Sequence, residues 1–467
     1  MSKFKVIGGK ELRGEIEPQG AKNESLQIVA SSILAGKIII ENIPKILDVL
    51  KMIEMLESAG AVVRWNDEIG NSTGMILNKK ENTEDLKIYK NKVSIDTTNL
   101  DINYFKSEKY FADAEKTRGS LMFMGPLLAR YGVAYIPKTG GDKIGARPID
   151  THTLGFIALG AELKTEISYN YLTLEKVILN EQILLEDASV TGTANILMCA
   201  MRDTQNLTIY NAASETYIFQ LCKVLEKCGA SIIGAGTNKI IINSKNRFDE
   251  SGDFLGPETL KIINHLILPD FIEVASFMAL AMATRSEILI KGAGVNNLGM
   301  TLKMFEKLGC KFEVNNDDIK VLKQEKYEIQ KMYDGSMMKI YCSPWPMISP
   351  DILSVGIVAA MQCEGVVLFH EKMYEARMFF VDKLIAMGAQ IVLCDPHRVV
   401  VTGNNWKNKM RARHMTSPDI RAGIAMLIAA LGAEGESVID NIEQIDRGYE
   451  NIEQRLALLG ANIIRVN

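Results

Sequence analysis

The chain has 467 residues, of which 47% are hydrophobic and 24% are charged, the composition of an ordinary globular protein. Its 53 lysines and arginines are balanced by 57 acidic residues, and the net charge of -4 excludes a general positive field for nucleic acid or an acidic membrane. The length is too great for one ordinary core and predicts two or three domains.

The N-terminal segment, MSKFKVIGGKEL, lacks the apolar core of a signal peptide. The longest apolar run, residues 422–433, is shorter than the roughly 18 residues that a bilayer crossing needs. We therefore expect a cytoplasmic protein.

The seven cysteines form no C-x-x-C pair and the five histidines form no H-x-x-x-H pair, so we expect neither disulfides nor a metal site.

An internal repeat occurs in six copies along the chain. Each copy contains the end of an amphipathic helix, a glycine, a small residue and a β-type run. In chain order the copies are LESAGAVV (56–63), FIALGAEL (156–163), LEKCGASI (225–232), FEKLGCKF (305–312), LIAMGAQI (384–391) and LALLGANI (456–463). Because glycine just past a helix is the expected left-handed cap, each copy predicts a helix, a cap and a strand.

A further strand-like piece precedes the helix of most copies, for example IIIENI, LTIYNA, ILIKGA or VVLFHE. Each copy therefore predicts an α/β module of roughly seventy residues that needs its siblings for stability. The first interval, from Gly60 to Gly160, is longer than the others by about 25 residues. We interpret the polar stretch from about 66 to 112 as a surface insertion without chemistry.

Residues 140–152, GGDKIGARPIDTH, combine two glycines with an acid, a lysine, an arginine and a proline. The glycines free the backbone and Arg147-Pro148 stiffens it, which predicts a shaped loop. Taken alone, the stretch fits an ordinary surface turn as well as a binding loop.

Eight stretches of this sequence resemble the enolpyruvyl transferase family, and the resemblance covers essentially the whole chain. They are PQGAKNESL (18–26), TRGSLMFMGPLLARYG (117–132), GGDKIGARPID (140–150), ASVTGTANILMCAM (188–201), SPDILS (349–354), MYEARMFFVDKL (373–384), SPDIRAG (417–423) and IDRGYENIEQRLALLGANI (445–463).

The resemblance implies an α/β fold of two similar globular domains, each of three repeated modules with helices inside and sheets outside, facing each other across a cleft. The family pattern places the N-terminal strand in the second domain. We therefore predict domain one at residues 22–269, and domain two at 1–21 with 270–467.

The activity implied is transfer of the enolpyruvyl group of phosphoenolpyruvate to the 3-hydroxyl of UDP-N-acetylglucosamine, by addition and then elimination of phosphate. In the branch of the family that acts on this sugar, the reaction is the first committed step of peptidoglycan synthesis. It needs a base, an acid and several cations, but no cofactor.

The catalytic residues implied are Asp142, Asp351, Lys22 and Arg447. Asp351 matches the carboxylate that accepts the proton of the sugar hydroxyl, although Ser-Pro-Asp before an apolar run also predicts a helix start. Lys22 matches the lysine that contacts phosphoenolpyruvate and helps close the cleft, although a lone lysine is usually solvated surface.

Further substrate-binding residues are implied by the same matches. Arginines suit this task because their planar fork binds carboxylate or phosphate at two points. Arg377 also fits the polar start of a helix, and Asp419 matches a residue that orients a neighbouring arginine. The full substrate-binding set is Lys22, Asn23, Arg118, Arg147, Pro148, Ile149, Asp150, Thr151, Ser189, Val190, Thr191, Asp351, Met373, Arg377, Asp419, Arg421 and Arg447.

Two residues depart from the family pattern. Asp142 replaces the usual cysteine of the Gly-Gly loop, which implies resistance to fosfomycin, an epoxide that alkylates that thiol. Phe271 stands where many members have an arginine, which weakens one supporting contact.

Three alternatives remain beside this interpretation. The sister enzyme of the shikimate pathway shares the fold, but its N-terminal signature is typically G-S-K-S. A catalytically silent relative that only binds nucleotide sugar is disfavoured because Lys22, Asp142, Asp351 and Arg447 are all present. Nucleic-acid end processing on a related repeat fold is disfavoured by the acidic balance.

Overall fold

The computed structural model describes residues 2–65, 91–138, 140, 144–145, 147–167, 169–178, 182–244, 261–407 and 409–466. The chain divides into two compact units. The N-unit comprises residues 20–141 and 148–268, and the C-unit comprises residues 1–19, 142–147 and 269–467.

The described residues form 23 strands and 14 α-helices. The strands are β1 Lys3–Ile7, β2 Arg13–Ile16, β3 Lys37–Glu41, β4 Val62–Trp65, β5 Lys92–Asp96, β6 Val133–Ile136, β7 Glu162–Thr165, β8 Asn170–Thr173, β9 Gln182–Leu184, β10 Leu207–Tyr210, β11 Ser231–Ile233, β12 Lys239–Asn243, β13 Ile263–Leu266, β14 Glu287–Ile290, β15 Phe312–Asn315, β16 Asp318–Val321, β17 Met338–Tyr341, β18 Glu364–His370, β19 Gln390–Asp395, β20 Arg398–Asn404, β21 His414–Thr416, β22 Glu436–Asp440 and β23 Asn462–Val466. The helices are α1 Lys22–Ala35, α2 Leu47–Ser58, α3 Glu108–Ala114, α4 Met124–Tyr131, α5 Asp150–Ala158, α6 Val190–Cys199, α7 Thr216–Lys227, α8 Phe271–Ala283, α9 Gly299–Lys307, α10 Pro350–Met361, α11 Val381–Ala386, α12 Ile420–Gly432, α13 Glu443–Asp446 and α14 Ile452–Leu458.

Six sheets are formed by the described strands, three in each unit, and five of them share one order. In these five, a parallel pair is followed by two antiparallel strands: β13-β3-β5-β4 and β9-β10-β12-β11 in the N-unit, and β2-β14-β16-β15, β17-β18-β20-β19 and β21-β22-β1-β23 in the C-unit. The sixth sheet, β6-β8-β7 in the N-unit, lacks the first parallel strand among the described residues. The repeated order confirms the predicted modules.

Helices form the core of each unit. In the C-unit, α8, α10 and α12 pack against one another, and in the N-unit α1, α4 and α6 do the same. Every residue of α8 is buried, which explains why all of them except Glu273 and Ser276 are apolar. Among the described residues, no helix combines the length and the apolar composition that a bilayer crossing requires.

The six repeated glycines each end a helix and precede a strand, as the sequence predicts. They are Gly60, Gly160, Gly229, Gly309, Gly388 and Gly460, and all have φ between 83° and 104°. This left-handed backbone is easy for glycine and strained for other residues. The repeat is therefore set by local backbone chemistry.

The predicted surface insertion at about 66–112 is wrong for its second half. Residues 92–96 form β5, which lies between β3 and β4 in its sheet. Val93 and Ile95 alternate with polar residues and are fully buried. The sequence KVSID has the apolar and polar alternation of a half-buried strand. The many polar residues around it favoured the interpretation as a surface insertion, so this strand was not predicted. Residues 66–90 lie outside the described part of the chain.

Candidate active site

Five helices begin at predicted site residues. Lys22 starts α1, Asp150 starts α5, Val190 starts α6, Asp351 lies in the first turn of α10, and Asp419 caps α12. The first turn of a helix presents backbone N–H groups and the positive end of the helix dipole, both of which favour anions. Five predicted site residues therefore lie at helix N-termini, three in the N-unit and two in the C-unit.

Asp351 in the C-unit lies between two buried arginines. Its Oδ1 accepts a hydrogen bond from Arg377 Nη2 at 3.0 Å, and its Oδ2 accepts one from Arg421 Nη2 at 3.0 Å. The Ser349 hydroxyl caps the helix by accepting from the Asp351 N–H at 3.3 Å. The side chain remains 23% exposed, so the carboxylate is fixed in orientation and still open to solvent.

Arg421 is held by two neighbours besides Asp351. Asp419 Oδ1 accepts from the backbone N–H groups of Arg421 and Ala422 at 2.8 and 2.9 Å. The Nη1 atom of Arg421 lies 3.5 Å from the Tyr449 hydroxyl, which is 2.9 Å from Ser276 Oγ. Burial raises the pKa of Tyr449 to about 12, so its hydroxyl stays neutral. We call Asp351, Arg377, Arg421, Asp419 and Tyr449 the charged cluster.

Arg377 keeps its charge although it is buried. Burial lowers its pKa, but the neighbouring Asp351, Asp419, Tyr374 and Glu371 outweigh this effect and raise the pKa above its usual value. Its guanidinium carbon lies 4.9 Å from the centre of the Tyr374 ring. The side chain is therefore held between an aromatic face and carboxylates.

Glu371 fixes the turn that precedes Arg377. This fully buried carboxylate accepts through Oε1 from the N–H groups of Met373 at 2.7 Å and Tyr374 at 3.2 Å, and from Cys342 Sγ at 3.0 Å. Burial, together with Glu371, raises the pKa of Cys342 to about 12. The Arg147 guanidinium carbon lies 5.9 Å from the Tyr374 ring centre, and the Met373 side chain is exposed.

Arg447 directly follows α13, and its Nη1 donates to Gln444 Oε1 at 2.9 Å. The next turn is held by Gln19, which is buried. Gln19 Nε2 donates to the Gly448 carbonyl at 2.8 Å, and its Oε1 accepts from the Glu450 N–H at 2.7 Å. One amide thus fixes both sides of the turn beside Arg447.

Lys22 in the N-unit is a buried lysine. Its Nζ lies 2.6 Å from Asp48 Oδ2, and both side chains are more than nine-tenths buried. Asn23 beside it is half-buried. Next in α1, Glu24 accepts from His265 Nε2 at 2.8 Å in a second buried pair. Buried charges of this kind persist only when paired, so Lys22 is not a solvated surface lysine.

The predicted nucleotide-binding residues of the N-unit lie at the starts of α5 and α6. Arg118 Nη2 donates to the Pro148 carbonyl at 3.4 Å, and Ile149 precedes Asp150 at the start of α5. The Thr151 methyl lies close to Gly192 in the first turn of α6. A side chain at Gly192 would bring its Cβ to 2.9 Å from this methyl group, closer than ordinary van der Waals contact. The two helix N-termini are therefore in direct contact.

Hydroxyl and amide groups connect these two N-termini. Ser189 caps α6 by accepting from the Gly192 N–H at 3.1 Å. His152, on α5, lies 3.1 Å from Thr191 Oγ1 through Nε2, and 2.9 Å from Asn195 Nδ2 through Nδ1. We call Ser189, Thr191, His152 and Asn195 the neutral cluster.

The predicted residues are divided between the two units. The C-unit contains Arg147, Met373, Arg447 and the predicted members of the charged cluster; the N-unit contains Lys22, Asn23, Arg118 and residues 148–151 and 189–191. Asp142 lies outside the described residues. Phe271, at the position of a usual arginine, is buried with its ring 5.9 Å from that of Trp345.

Five residues of the two units that contact predicted site residues or their neighbours were not themselves predicted. Gln19 and Tyr449 lie inside quoted motifs, PQGAKNESL and IDRGYENIEQ, so proximity to Lys22 and Arg447 was an available signal. His152 and Asn195 also lie inside quoted stretches, GGDKIGARPIDTH and ASVTGTANILMCAM, and Glu371 ends the strand-like piece VVLFHE, but no local pattern links these three residues to their partners. Glu371 meets Cys342 from 29 residues away, and His152 meets Asn195 from 43 residues away.

The fold is that of the enolpyruvyl transferases. A crystal structure of the enolpyruvyl transferase NikO from Streptomyces tendae matches with a TM-score of 0.78 at 20% identity, covering 100% of this chain and 99% of that chain. EPSP synthase from Acinetobacter baumannii matches with a TM-score of 0.68 at 14% identity, covering 100% of both chains.

Sequence comparison gives the family. The family model described as EPSP synthase (3-phosphoshikimate 1-carboxyvinyltransferase) matches residues 6–91 and 83–456, and the chain belongs to this family of enolpyruvyl transferases. UDP-N-acetylglucosamine 1-carboxyvinyltransferase from Bacteroides thetaiotaomicron is 47% identical over 468 residues, covering 100% of both chains. The protein of that name from Porphyromonas gingivalis is 45% identical over 469 residues, also covering 100% of both.

Proposed function

We propose that this protein transfers the enolpyruvyl group of phosphoenolpyruvate to the 3-hydroxyl of UDP-N-acetylglucosamine and releases phosphate. The observation that supports this most is the 47% identity, over the full length of both chains, with a relative named for that reaction. The same proposal makes the protein a cytoplasmic enzyme of the first committed step of peptidoglycan synthesis.

Asp351 is the base of this proposal. In the addition step the sugar oxygen bonds to the enol carbon, its proton leaves, and the methylene carbon gains a proton. Asp351 has a partly exposed carboxylate whose two oxygens are oriented by Arg377 and Arg421, as proton acceptance from a bound hydroxyl requires. In the elimination step the methyl carbon loses a proton and phosphate departs.

The cations of both units bind the two anionic groups of phosphoenolpyruvate. Arg421 and Arg447 belong to the C-unit, while Lys22 and Arg118 belong to the N-unit. Carboxylate and phosphate each suit a planar guanidinium, and phosphate gains charge as it leaves. We assign Lys22 and Arg447 to the reacting phosphate and carboxylate, and Arg147 and Arg377 to supporting contacts.

The N-unit binds the nucleotide sugar. Residues 148–151 and 189–191 present backbone N–H groups and small hydroxyls at two adjoining helix N-termini. Such groups suit uracil carbonyls and diphosphate oxygens.

Asp142 completes the proposal as the proton donor to the methylene carbon. This role rests on the sequence alone.

Phosphate release tests the proposal. The purified protein is incubated with phosphoenolpyruvate and either UDP-N-acetylglucosamine or shikimate 3-phosphate, the acceptor that the family description implies. We expect release with the nucleotide sugar only. Release with shikimate 3-phosphate alone contradicts the proposed substrate, and tight binding of UDP-N-acetylglucosamine without release contradicts the proposed chemistry.

A further inference from the structure

The neutral cluster contains a chain of hydrogen bonds whose direction is fixed at one end. Asn195 is fully buried on α6, and its Oδ1 lies 2.8 Å from the backbone nitrogen of Gly125. A backbone N–H only donates, so this amide atom is an acceptor and must be the oxygen. The other amide atom, Nδ2, donates to the Leu121 carbonyl at 2.9 Å. Both ends of the Asn195 amide are thus assigned by backbone partners.

The orientation of Asn195 sets the tautomer of His152. The second hydrogen of Asn195 Nδ2 points to His152 Nδ1 at 2.9 Å, so Nδ1 accepts and has no proton. A neutral imidazole then has its proton on Nε2. Burial, aided by the charge of Arg118, lowers the pKa of His152 to about 3, in agreement with a neutral ring.

The tautomer in turn sets the direction of the next bond. His152 Nε2 lies 3.1 Å from Thr191 Oγ1, so the ring donates and the hydroxyl oxygen accepts. The hydroxyl hydrogen of Thr191 is left to donate elsewhere, and among the described residues no hydrogen bond uses it. Thr191 is half-buried in the first turn of α6, beside the Ser189 cap.

We propose that His152 is a positioning residue that makes Thr191 a hydrogen-bond donor to the ligand, so that the ligand group facing Thr191 is an acceptor oxygen. The inference rests on the proposed function, because residues 189–191 are part of the proposed nucleotide-sugar site. It deepens that proposal by giving the polarity of one contact. A ligand with a donor group at this point is disfavoured, since two hydrogens then face each other.

The nucleotide part of UDP-N-acetylglucosamine has two kinds of oxygen that meet this requirement: the diphosphate oxygens and the uracil carbonyls. Both are acceptors without a hydrogen, and both are favoured at a helix N-terminus. The test therefore compares uridine diphosphate with uridine, since only the first contains the diphosphate.

Calorimetric titration of five proteins with UDP-N-acetylglucosamine tests the direction of the bond. Thr191→Val removes the donor at nearly constant shape and is expected to weaken binding by about tenfold, whereas Thr191→Ser keeps the donor and should stay within about threefold of the original protein. His152→Leu should weaken binding by about three- to tenfold. His152→Gln, whose amide both accepts and donates, should restore most of that loss.

The double variant separates positioning from a general structural role. In the Thr191→Val background, His152→Leu should cause less than about a twofold further loss, because its effect passes through Thr191. If His152→Leu fails to fold, the two Thr191 variants and the spectroscopic test below still decide between the alternatives.

The comparison of ligands identifies the oxygen. The loss of affinity in Thr191→Val should persist with uridine if the oxygen belongs to uracil, and should disappear with uridine if the oxygen belongs to the diphosphate.

The tautomer is also visible directly. The chain has five histidines, so selective nitrogen labelling and a His152→Gln spectrum assign the His152 signals. We expect an unprotonated Nδ1 and a protonated Nε2 near neutral pH. A protonated Nδ1, or Thr191→Val binding as tightly as the original protein, overturns the inference. If the original protein itself neither binds UDP-N-acetylglucosamine nor releases phosphate with it, the proposed function fails instead.

Discussion

The charged cluster of one unit and the neutral cluster of the other differ in how their polar groups are held. In the charged cluster of the C-unit, a carboxylate binds two buried guanidinium groups, and each charge is compensated by another. In the neutral cluster of the N-unit, a histidine, an amide and two hydroxyls form hydrogen bonds without any formal charge. The first arrangement suits chemistry, in which charge develops, and the second suits recognition of a fixed ligand.

The difference also predicts how each cluster responds to substitution. Removing one member of a buried ion pair leaves an uncompensated charge, which costs several kcal/mol, of the order of 3–5. Removing one neutral hydrogen bond costs about 1 kcal/mol. Substitutions in the charged cluster should therefore have the larger effects, and they should fall on turnover, whereas those in the neutral cluster should fall on nucleotide affinity.

The largest effect is expected at Asp351. Asp351→Asn keeps the shape but removes the base, so kcat should fall by about a hundredfold or more while the affinity for UDP-N-acetylglucosamine changes by only a few fold. Steady-state kinetics and calorimetry measure the two quantities. A loss of affinity without a loss of kcat would make Asp351 a binding residue only.

A matched carboxylate exists in the same unit. Asp395 is paired with Arg398 and is 29% exposed, close to the 23% of Asp351, but it lies outside the charged cluster. Asp395→Asn should leave kcat unchanged. If it lowers kcat as much as Asp351→Asn does, the loss reflects the unit as a whole and not the base.

Substitutions of Asp142 test whether turnover needs a carboxylate outside the charged and neutral clusters. Asp142→Asn should lose most turnover, about a hundredfold, because an amide cannot deliver a proton. Asp142→Cys should stay active and become sensitive to fosfomycin, since a thiolate attacks an epoxide readily and a carboxylate does so poorly. Mass spectrometry should find the drug at residue 142 only in the cysteine variant. Rapid inactivation of the original protein contradicts this role.

A smaller effect is expected at Gln19, a neutral residue that supports the C-unit. Gln19→Met keeps the length of the side chain but loses the bonds to Gly448 and Glu450, which fix the turn after Arg447. We expect KM for phosphoenolpyruvate to rise by about three- to tenfold, together with a loss of about 1–3 kcal/mol of unfolding free energy. An unchanged KM would give Gln19 a structural role alone.

Gln324 is the control for this effect. It also holds two backbone segments of the C-unit, because its Nε2 donates to the carbonyls of Gly309 and Lys326 while its Oε1 accepts from the Lys311 N–H. Gln324→Met should lower the unfolding free energy in the same way without changing KM. A rise in KM in both variants would show that lost stability, not the turn at Arg447, changes the affinity.

The sequence predicted the elements of this molecule better than it predicted their contacts. Six glycines at helix ends determine the repeat through local backbone chemistry, so the helix, cap and strand order was visible in each copy. The bond between Asp351 and Arg421 spans 70 residues and depends on the packing of α10 against α12. No local pattern encodes that packing, so the sequence analysis named both residues as site residues without predicting that they pair.

The same reasoning explains what was missed in the N-unit. His152 lies in the first turn of α5, and its partners Thr191 and Asn195 are one turn apart on another helix. Only the contact between α5 and α6 brings them together. The polar insertion was misjudged for a different reason: β5 has a visible alternation, but the polar residues around it hid the strand, which pairs with β3 and β4 from earlier in the chain.

The last prediction is a pH dependence of stability that comes from His152 in the neutral cluster. Burial and Arg118 lower the pKa of His152 from 6.5 to about 3 in the folded protein. Between these two pH values the unfolded chain binds a proton at His152 that the folded chain does not, so stability falls as the pH falls below 6.5. The contribution lost between pH 7.5 and pH 5 is about 2 kcal/mol. Denaturant unfolding at both pH values measures the unfolding free energy of the original protein and of His152→Gln. The variant has no titrating group at residue 152, so its unfolding free energy should decrease less between pH 7.5 and pH 5. Equal decreases in the two proteins would mean that His152 is not held neutral, and the direction assigned to the Thr191 hydrogen bond would lose its support.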